Sequence, residues 1–215
     1  MNPARFIARH LSLTPVPGLP EIVLYMARPD SGLSRLIQTH DGAAAPYWAY
    51  AWPGGMALAR YLATDPETVR GLRVHELGTG SGLVALAAAR AGAAAVTAVD
   101  RDPLAVAAAR LNAAANGVSL HVWEADGTAA EPPTAEVILA GDVFYDAELA
   151  QSVLAYLERC RVSGSRVLIG DPFRAHLPQA RLHVLAQFDT LDVGQGSATA
   201  VGVSGVFELL PPPRD

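Results

Sequence analysis

Along residues 73–171, short apolar segments alternate with longer segments whose apolar residues recur at helical spacing. Five short apolar segments predict strands at residues 73–77, 95–100, 120–124, 136–142 and 166–171. Three segments between them, at residues 83–90, 103–115 and 147–159, have the length and apolar spacing of helices. Strands that alternate with helices in this way predict βαβ units, a parallel sheet and right-handed connections.

The segments on either side of this region have weaker patterns. Residues 21–26 predict a strand, on a sheet edge or in a small hairpin, and the proline-rich residues 14–20 predict a loop. The other predictions are a short helix around residues 6–8, a polar segment at 27–45 that is either flexible or ordered over a ligand, a helix at 56–62, and antiparallel strands at 183–188 and 201–210. We therefore expect one α/β domain over residues 1–215, with an N-terminal extension (1–45) and a core (46–215).

Composition narrows the class of protein. The 215 residues are 51% hydrophobic and 17% charged, which is typical of a globular domain. The net charge of −5 argues against a general nucleic-acid binder, because such proteins neutralise phosphates. A single cysteine, Cys160, excludes an intramolecular disulfide, and we expect it to be a buried apolar residue. No apolar segment approaches the roughly 18 residues of a membrane span, so we expect a soluble cytoplasmic protein.

A glycine turn follows the first strand of the alternating region. Three glycines alternate within residues 78–82, Glu76 precedes them, and Asp100 ends the next strand. A dinucleotide-binding turn has its third glycine one residue later, where this chain has Leu83. A carboxylate at Glu76 would repel a pyrophosphate, but it suits a ligand that carries an amino group and a sulfonium. The turn therefore predicts S-adenosylmethionine, with Asp100 bonded to both ribose hydroxyls.

Acidic residues end four successive strands of the predicted sheet, namely Glu76, Asp100, Asp126 and Asp142. In such sheets, ligands bind beyond the carboxyl ends of the strands. We expect Glu76 to face the methionine amino group, Asp126 to face the adenine amine, and Asp142 to lie near the sulfonium and the acceptor. Because Asp is also common in turns, a purely local role stays open for Asp126.

An aromatic run at residues 47–52 is unusual in a chain with only 7% aromatic residues. It holds two tryptophans and two tyrosines. We predict that Trp48 belongs to the core. Trp52 is predicted as a site residue, because the glycines that follow it allow the backbone to approach a ligand.

Several of these segments resemble those of known methyltransferases. The turn at residues 76–82, together with Asp100, resembles the motif of seven-β-strand, Rossmann-like methyltransferases, and residues 142–145 resemble the D-x-x-Y motif of protein-lysine methyltransferases. Residues 47–52 and 139–145 make the chain similar to the bacterial electron-transfer flavoprotein β-subunit lysine methyltransferases. The resemblance implies a mostly parallel seven-stranded Rossmann-like sheet with an antiparallel C-terminal hairpin. It also implies S-adenosyl-L-methionine as cofactor and a protein substrate, the flavoprotein β subunit.

The resemblance and the strand-end pattern together assign the candidate site. The predicted cofactor-binding residues are Trp52, Glu76, Gly78, Thr79, Gly80, Ser81, Asp100, Arg101, Asp126 and Asp142. The predicted catalytic residues are Asp142 and Tyr145, which would orient a lysine amine by hydrogen bonds. Deprotonating a lysine with a pKa near 10.4 costs about 4–5 kcal/mol at pH 7, and a desolvated pocket lowers this cost. No dedicated general base is assigned, and water is expected to take the proton.

Other functions stay open at this point. The chain is alternatively a methyltransferase for another protein, such as a ribosomal protein, or for a small amine, or it is a cofactor-binding relative without catalysis. The six histidines form no H-x-x-x-H pair, so no metal is expected. The chain has no Gly-x-Ser-x-Gly nucleophile elbow, which argues against a hydrolase.

Overall fold

The computed structural model describes residues 2–27, 33, 45–192 and 200–211 of the chain. Its strands, in chain order, are β1 (Ser12–Val16), β2 (Leu19–Met26), β3 (Arg73–Leu77), β4 (Ala95–Asp100), β5 (His121–Glu124), β6 (Val137–Gly141), β7 (Arg166–Asp171), β8 (Leu182–Asp192) and β9 (Ala200–Leu209). Strands β3 to β9 form one sheet in the order β5-β4-β3-β6-β7-β9-β8. Five of these strands are parallel, and β8 and β9 run antiparallel at one edge. The predicted mostly parallel sheet with an antiparallel C-terminal hairpin is confirmed.

The order of the strands decides where a ligand can bind. Strand β3 lies between β4 and β6, so the chain moves from β3 toward one edge and later returns to β3's other side. At such a switch point, the connections that leave the carboxyl ends of neighbouring strands diverge and open a crevice.

The helices whose bounds lie within the described residues are α1 (Pro3–His10), α2 (Pro53–Thr64), α3 (Leu83–Arg90), α4 (Pro103–Ala115) and α5 (Ala147–Val162). Helices α2 to α5 cover the two faces of the sheet, whereas α1 packs on α4. Side chains from α2, α3 and α4 share one core with Leu139 and Leu168, whereas side chains from α5 share another with Ile138 and Ile169. Because successive residues of a strand point to opposite faces, β6 and β7 supply both cores.

The N-terminal residues form a helix and a hairpin of their own. Strands β1 and β2 pair antiparallel, which decides between the two predicted places for residues 21–26 in favour of a hairpin. The loop predicted at 14–20 is wrong in part, because residues 14–16 pair with β2 even though Pro15 lacks an amide donor. The hairpin is attached to α4 by Asn112 and Asn116, whose Oδ1 atoms accept the amides of Tyr25 at 2.8 Å and Val23 at 3.0 Å.

Local signals define several helix ends. Pro53 occupies the first turn of α2, as predicted, and Asp102 accepts the amide of Leu104 at 2.8 Å as the N-cap of α4. Helices α2 and α5 extend further than their apolar patterns indicated, to Thr64 and Val162. The segment at 27–45, predicted to be either flexible or ordered over a ligand, lies almost wholly outside the described residues, as does the connection between β8 and β9.

Candidate active site

A cleft of about 760 Å³ opens beyond the carboxyl ends of β3, β4, β5 and β6. Its volume is typical of a small-molecule site. Eight of the predicted site residues line it, namely Trp52, Gly78, Gly80, Asp100, Arg101, Asp126, Asp142 and Tyr145. The fold therefore brings most of the predicted site together, and the role of each residue stays a prediction.

The turn after β3 presents backbone to this cleft. Gly78, Gly80 and Gly82 have φ angles of 67°, 51° and 84°, in the left-handed region that favours glycine. The amide of Thr79 donates to the carbonyl oxygen of Val99 at 3.0 Å, which ties the turn to β4. No Cβ intervenes between this turn and the cleft at Gly78 or Gly80, so a ligand can approach the backbone closely.

Glu76 lies behind the glycine turn. It is not among the described residues that line the cleft, and its contact with the methionine amino group stays a prediction. The side chain is buried, and its Oε2 accepts the Thr79 hydroxyl at 2.5 Å and the Ala85 amide at 3.0 Å. Burial raises the pKa of Glu76 to about 8. Since Glu76 shares a strand face with Val74, it points beneath the first turn of α3 instead of out of the sheet edge.

Two other predicted residues of the turn also point away from the cleft. The Thr79 hydroxyl is engaged by Glu76, and Ser81 is 6% exposed. The carbonyl oxygen of Ser81 accepts a hydrogen bond from Nδ2 of Asn112 at 2.8 Å. Thr79 and Ser81 are not among the described residues that line the cleft, and their assignment to the cofactor stays a prediction.

Asp100 lies at the end of β4 and braces the glycine turn. Its Oδ2 accepts the amide of Gly80 at 2.9 Å, and its Oδ1 accepts the amide of Asp102 at 3.0 Å. Each carboxylate oxygen can accept further hydrogen bonds, so these contacts orient the group without using up its capacity. The arrangement fits a ligand diol at the position predicted for the ribose.

Asp126 combines the two roles that its sequence context left open. Its Oδ1 accepts the amide of Thr128 at 3.1 Å and the hydroxyl of Thr128 at 2.8 Å, so it caps a short turn. The Thr128 hydroxyl lowers the pKa of Asp126, which keeps the carboxylate ionised at neutral pH. Because Asp126 also lines the cleft, the local role does not remove it from the site.

Asp142 belongs to a buried charged cluster that also contains Asp171 and Arg174. Oδ1 of Asp142 accepts Nη1 of Arg174 at 2.6 Å, and its Oδ2 accepts the amide of Gly55 in the first turn of α2 at 2.5 Å. Burial raises the pKa of Asp142, whereas the charge of Arg174 opposes this rise. Arg174 lines the cleft, and sequence reasoning missed it because 32 residues separate it from Asp142.

Aromatic side chains form the wall beside Asp142. The Tyr47 ring lies 5.7 Å from the Trp52 ring and 5.5 Å from the Tyr145 ring, measured between centroids. Nε1 of Trp52 donates to the carbonyl oxygen of Tyr47 at 2.6 Å, which holds the two residues together. Trp48 is 2% exposed, in agreement with its predicted place in the core, and it also reaches the cleft. Tyr47 was part of the aromatic run, but it was not predicted as a site residue.

The cleft is strongly acidic. Among the described residues that line it are six carboxylate side chains and two guanidinium groups, at Arg101 and Arg174. The carboxylates belong to Asp100, Asp102, Asp126, Asp142, Asp146 and Glu148. Such a cleft favours cationic ligands over phosphates.

Within residues 2–27, 33, 45–192 and 200–211, no group of three or more His, Cys, Asp or Glu side chains is placed to hold a metal ion. In the same part of the chain, no helix is long and apolar enough to cross a membrane.

Comparison with curated proteins identifies the family. The chain is 41% identical over 196 residues to the electron transfer flavoprotein beta subunit lysine methyltransferase of Xenopus laevis, covering 88% of this chain and 80% of that protein. The chain belongs to this lysine methyltransferase family. The Rattus norvegicus member is 38% identical over 172 residues, which cover 77% of this chain and 68% of the relative. These relatives are animal proteins and do not support the bacterial subgroup expected from the sequence.

Further comparisons agree with a methyltransferase fold. The ribosomal protein L11 methyltransferase family matches residues 59–145, the part that holds the glycine turn, Asp100, Asp142 and Tyr145. Magnesium protoporphyrin IX methyltransferase from Synechocystis PCC 6803 with bound SAM superposes with a TM-score of 0.53 at 16% identity, covering 85% of this chain and 92% of the other. The expected Rossmann-like, S-adenosylmethionine-dependent lysine methyltransferase is thus confirmed as the class to which this chain belongs.

Proposed function

We propose that this protein transfers a methyl group from S-adenosylmethionine to lysine side chains of the electron-transfer flavoprotein β subunit. The flavoprotein β subunit is the substrate named for its relatives from Xenopus laevis and Rattus norvegicus, which are 41% and 38% identical to this chain over the aligned residues. The observation that carries the proposal is the acidic, aromatic-walled cleft beside a glycine turn. Both reactants carry positive charge, and the described residues that line this cleft include six carboxylates and two guanidiniums.

The residues of the cleft fit the cofactor. The exposed backbone of Gly78 and Gly80 leaves room for its methionine part, and the braced carboxylate of Asp100 fits its ribose. When bound, S-adenosylmethionine supplies an activated methyl group for an in-line displacement by an amine. Trp52 and Tyr145 are aromatic groups that favour a neighbouring cation by about 0.5–2 kcal/mol.

The protein's own contribution to the transfer is positioning. Holding the amine in line with the methyl group carries much of the lowering of the barrier. Asp142 is 9% exposed and held on both oxygens, so it offers a fixed acceptor for an amine hydrogen. Burial raises the pKa of Tyr145, so this side chain stays a phenol at neutral pH and acts through hydrogen bonds and its ring.

The proton of the substrate lysine has a short route to solvent. Asp142 already accepts hydrogen bonds from Arg174 and from the Gly55 amide, so we assign it to holding the amine and not to removing its proton. Tyr145 is 46% exposed, so the mouth of the cleft is open to water. We therefore assign no side chain as general base and let water take the proton.

One alternative target has specific support. The family match over residues 59–145 is to ribosomal protein L11 methyltransferases. That segment contains the cofactor turn and the residues 142–145, which methyltransferases with different targets can share. The match supports methyl transfer from the same cofactor. It does not distinguish the flavoprotein from the ribosomal protein as the substrate.

The test is a labelling experiment with two candidate substrates. The purified protein is incubated with labelled S-adenosylmethionine and either electron-transfer flavoprotein or ribosomal protein L11. We expect label on the flavoprotein β subunit and none on the ribosomal protein. Label on the ribosomal protein alone would contradict the proposed target. Cofactor binding without transfer to either protein would favour a non-catalytic relative.

A further inference from the structure

We propose that Arg174 is a positioning residue, which together with Asp171 holds the Asp142 carboxylate in the orientation that receives the substrate amine. This inference rests on the proposed function, in which Asp142 orients a lysine amine. Arg174 follows β7, whereas Asp142 follows β6, and both line the same cleft.

The contacts of Arg174 link the two carboxylates. Its Nη1 lies 2.6 Å from Oδ1 of Asp142 and 3.1 Å from Oδ2 of Asp171. Its own backbone amide donates to Oδ1 of Asp171 at 2.7 Å, so Asp171 holds both the chain and the side chain of Arg174. The Asp171 side chain is fully buried and that of Arg174 is 22% exposed, which limits screening by water.

The backbone around this cluster is bent in an uncommon way. Asp142 has a φ of 58° and Phe173 a φ of 62°, and they are the only described residues other than glycine with positive φ. This conformation is costly for bulky side chains and persists where surrounding contacts hold it. The Phe173 ring packs edge-on against Phe207 with centroids 5.3 Å apart, which anchors the bend that turns Arg174 back toward β6.

The charges of the cluster do not cancel. Asp142 and Asp171 contribute two negative charges and Arg174 one positive charge, so the cluster keeps one net negative charge beside the cleft. Without Arg174, two buried carboxylates would face each other, and one of them would tend to hold a proton. A protonated or rotated Asp142 would lose its fixed acceptor geometry, so Arg174 acts on the reaction through Asp142.

A double-mutant cycle tests this inference. The variants are Arg174→Met, Asp142→Asn and their combination, with kcat for methylation of the flavoprotein and the Kd for S-adenosylhomocysteine measured for each. We expect Arg174→Met to lower kcat at least tenfold, about 1.4 kcal/mol, with the Kd changed less than threefold. The combined variant should be as slow as Asp142→Asn alone, because both changes remove the same function.

Two further variants separate positioning from general stability. Arg174→Lys keeps a cationic nitrogen near both carboxylates and should stay within threefold of the wild-type kcat. Arg166→Met removes an ion pair of 3.0 Å between β7 and Glu208 on β9, and neither residue lines the cleft. It should leave kcat unchanged although it lowers the unfolding temperature. If Arg174→Met does not fold, Arg174→Gln replaces it in the cycle, since its amide retains a donor without the charge.

The outcomes that overturn the inference are distinct from failure of the proposed function. Three outcomes would each remove Arg174 as a positioning residue for Asp142. They are additive losses of kcat in the combined variant, wild-type kcat in the uncharged Arg174 variant, and a Kd for S-adenosylhomocysteine that rises by the same factor as kcat falls. A lysine variant as slow as the methionine variant would do the same. Full activity of Asp142→Asn would instead refute the role of Asp142 in the proposed function.

Discussion

Asp100→Ala should weaken cofactor binding far more than it weakens the fold. In the structure, the Asp100 carboxylate accepts the Gly80 amide at 2.9 Å and the Asp102 amide at 3.0 Å while it lines the cleft. The variant loses the acceptor for two ribose hydroxyls and the brace on the glycine turn. A hydrogen bond to a charged group contributes about 1.5–3 kcal/mol, but water replaces part of it in a cleft open to solvent. We therefore expect a loss of about 1–3 kcal/mol, which corresponds to a Kd raised roughly 5- to 150-fold.

Asp102→Ala provides the matched control, because the residue lies two positions away, also carries a carboxylate and also lines the cleft. Its Oδ1 accepts the amide of Leu104 at 2.8 Å as the N-cap of α4. Loss of an N-cap costs about 1 kcal/mol of stability, so the unfolding temperature should fall while the Kd stays within threefold. Titration calorimetry with S-adenosylhomocysteine and thermal unfolding of both variants measure these effects. An unchanged Kd for Asp100→Ala, or an equal loss in both variants, would refute the assignment of Asp100 to the ribose.

Three further predictions concern the strand, the turn and the aromatic wall. Burial lowers the pKa of His75 to about 4, so below pH 6.5 the unfolded chain binds a proton that the folded chain does not. The wild type should therefore lose about 2 kcal/mol of stability between pH 7 and pH 5 relative to His75→Leu, as measured by urea unfolding, and parallel pH profiles would contradict this. Gly82→Ala should lower stability by more than about 1–2 kcal/mol, because φ is +84° and its Cβ would lie 3.2 Å from α4; Gly117→Ala, with φ +64° and open space, should lose less. Tyr47→Ala should lower kcat/KM for methylation by roughly two- to fivefold, because the ring contact with Trp52 is lost. Tyr47→Phe keeps this contact and should match the wild type. An equal loss in both variants would assign the effect to the hydroxyl.

Several features of this protein were predictable from neighbouring residues alone. The alternation of strands and helices, the helix start at Asp102 and Pro103, and the left-handed glycines at residues 78–82 all follow from local patterns. These patterns depend on side-chain periodicity, capping and backbone freedom, which act over a few residues. They therefore indicated the sheet, its binding edge and the cofactor class.

The surroundings of Glu76 show what local reasoning leaves open. The motif places an acid at a strand end, and β3 turns this residue toward α3, where the Thr79 hydroxyl and the Ala85 amide donate hydrogen bonds to it. A shift of one residue along a strand reverses the direction of its side chain. The motif alone does not specify that direction, since it depends on which face of the strand the neighbouring helix covers.

The sequence by itself determined the class of fold, the glycine turn and most of the residues that meet at the cleft, because each of these depends on short-range patterns along one chain segment. Only the tertiary structure decided how those residues are held. The Asp142 carboxylate accepts hydrogen bonds from the Gly55 amide, 87 residues away in the sequence, and from the Arg174 guanidinium, 32 residues away. No sequence motif marks Arg174. Contacts of this kind depend on how the sheet brings the ends of β6 and β7 beside α2. The physical reason is that the hydrogen bonds and charges of a buried site are satisfied by whichever groups the packed strands and helices place nearby.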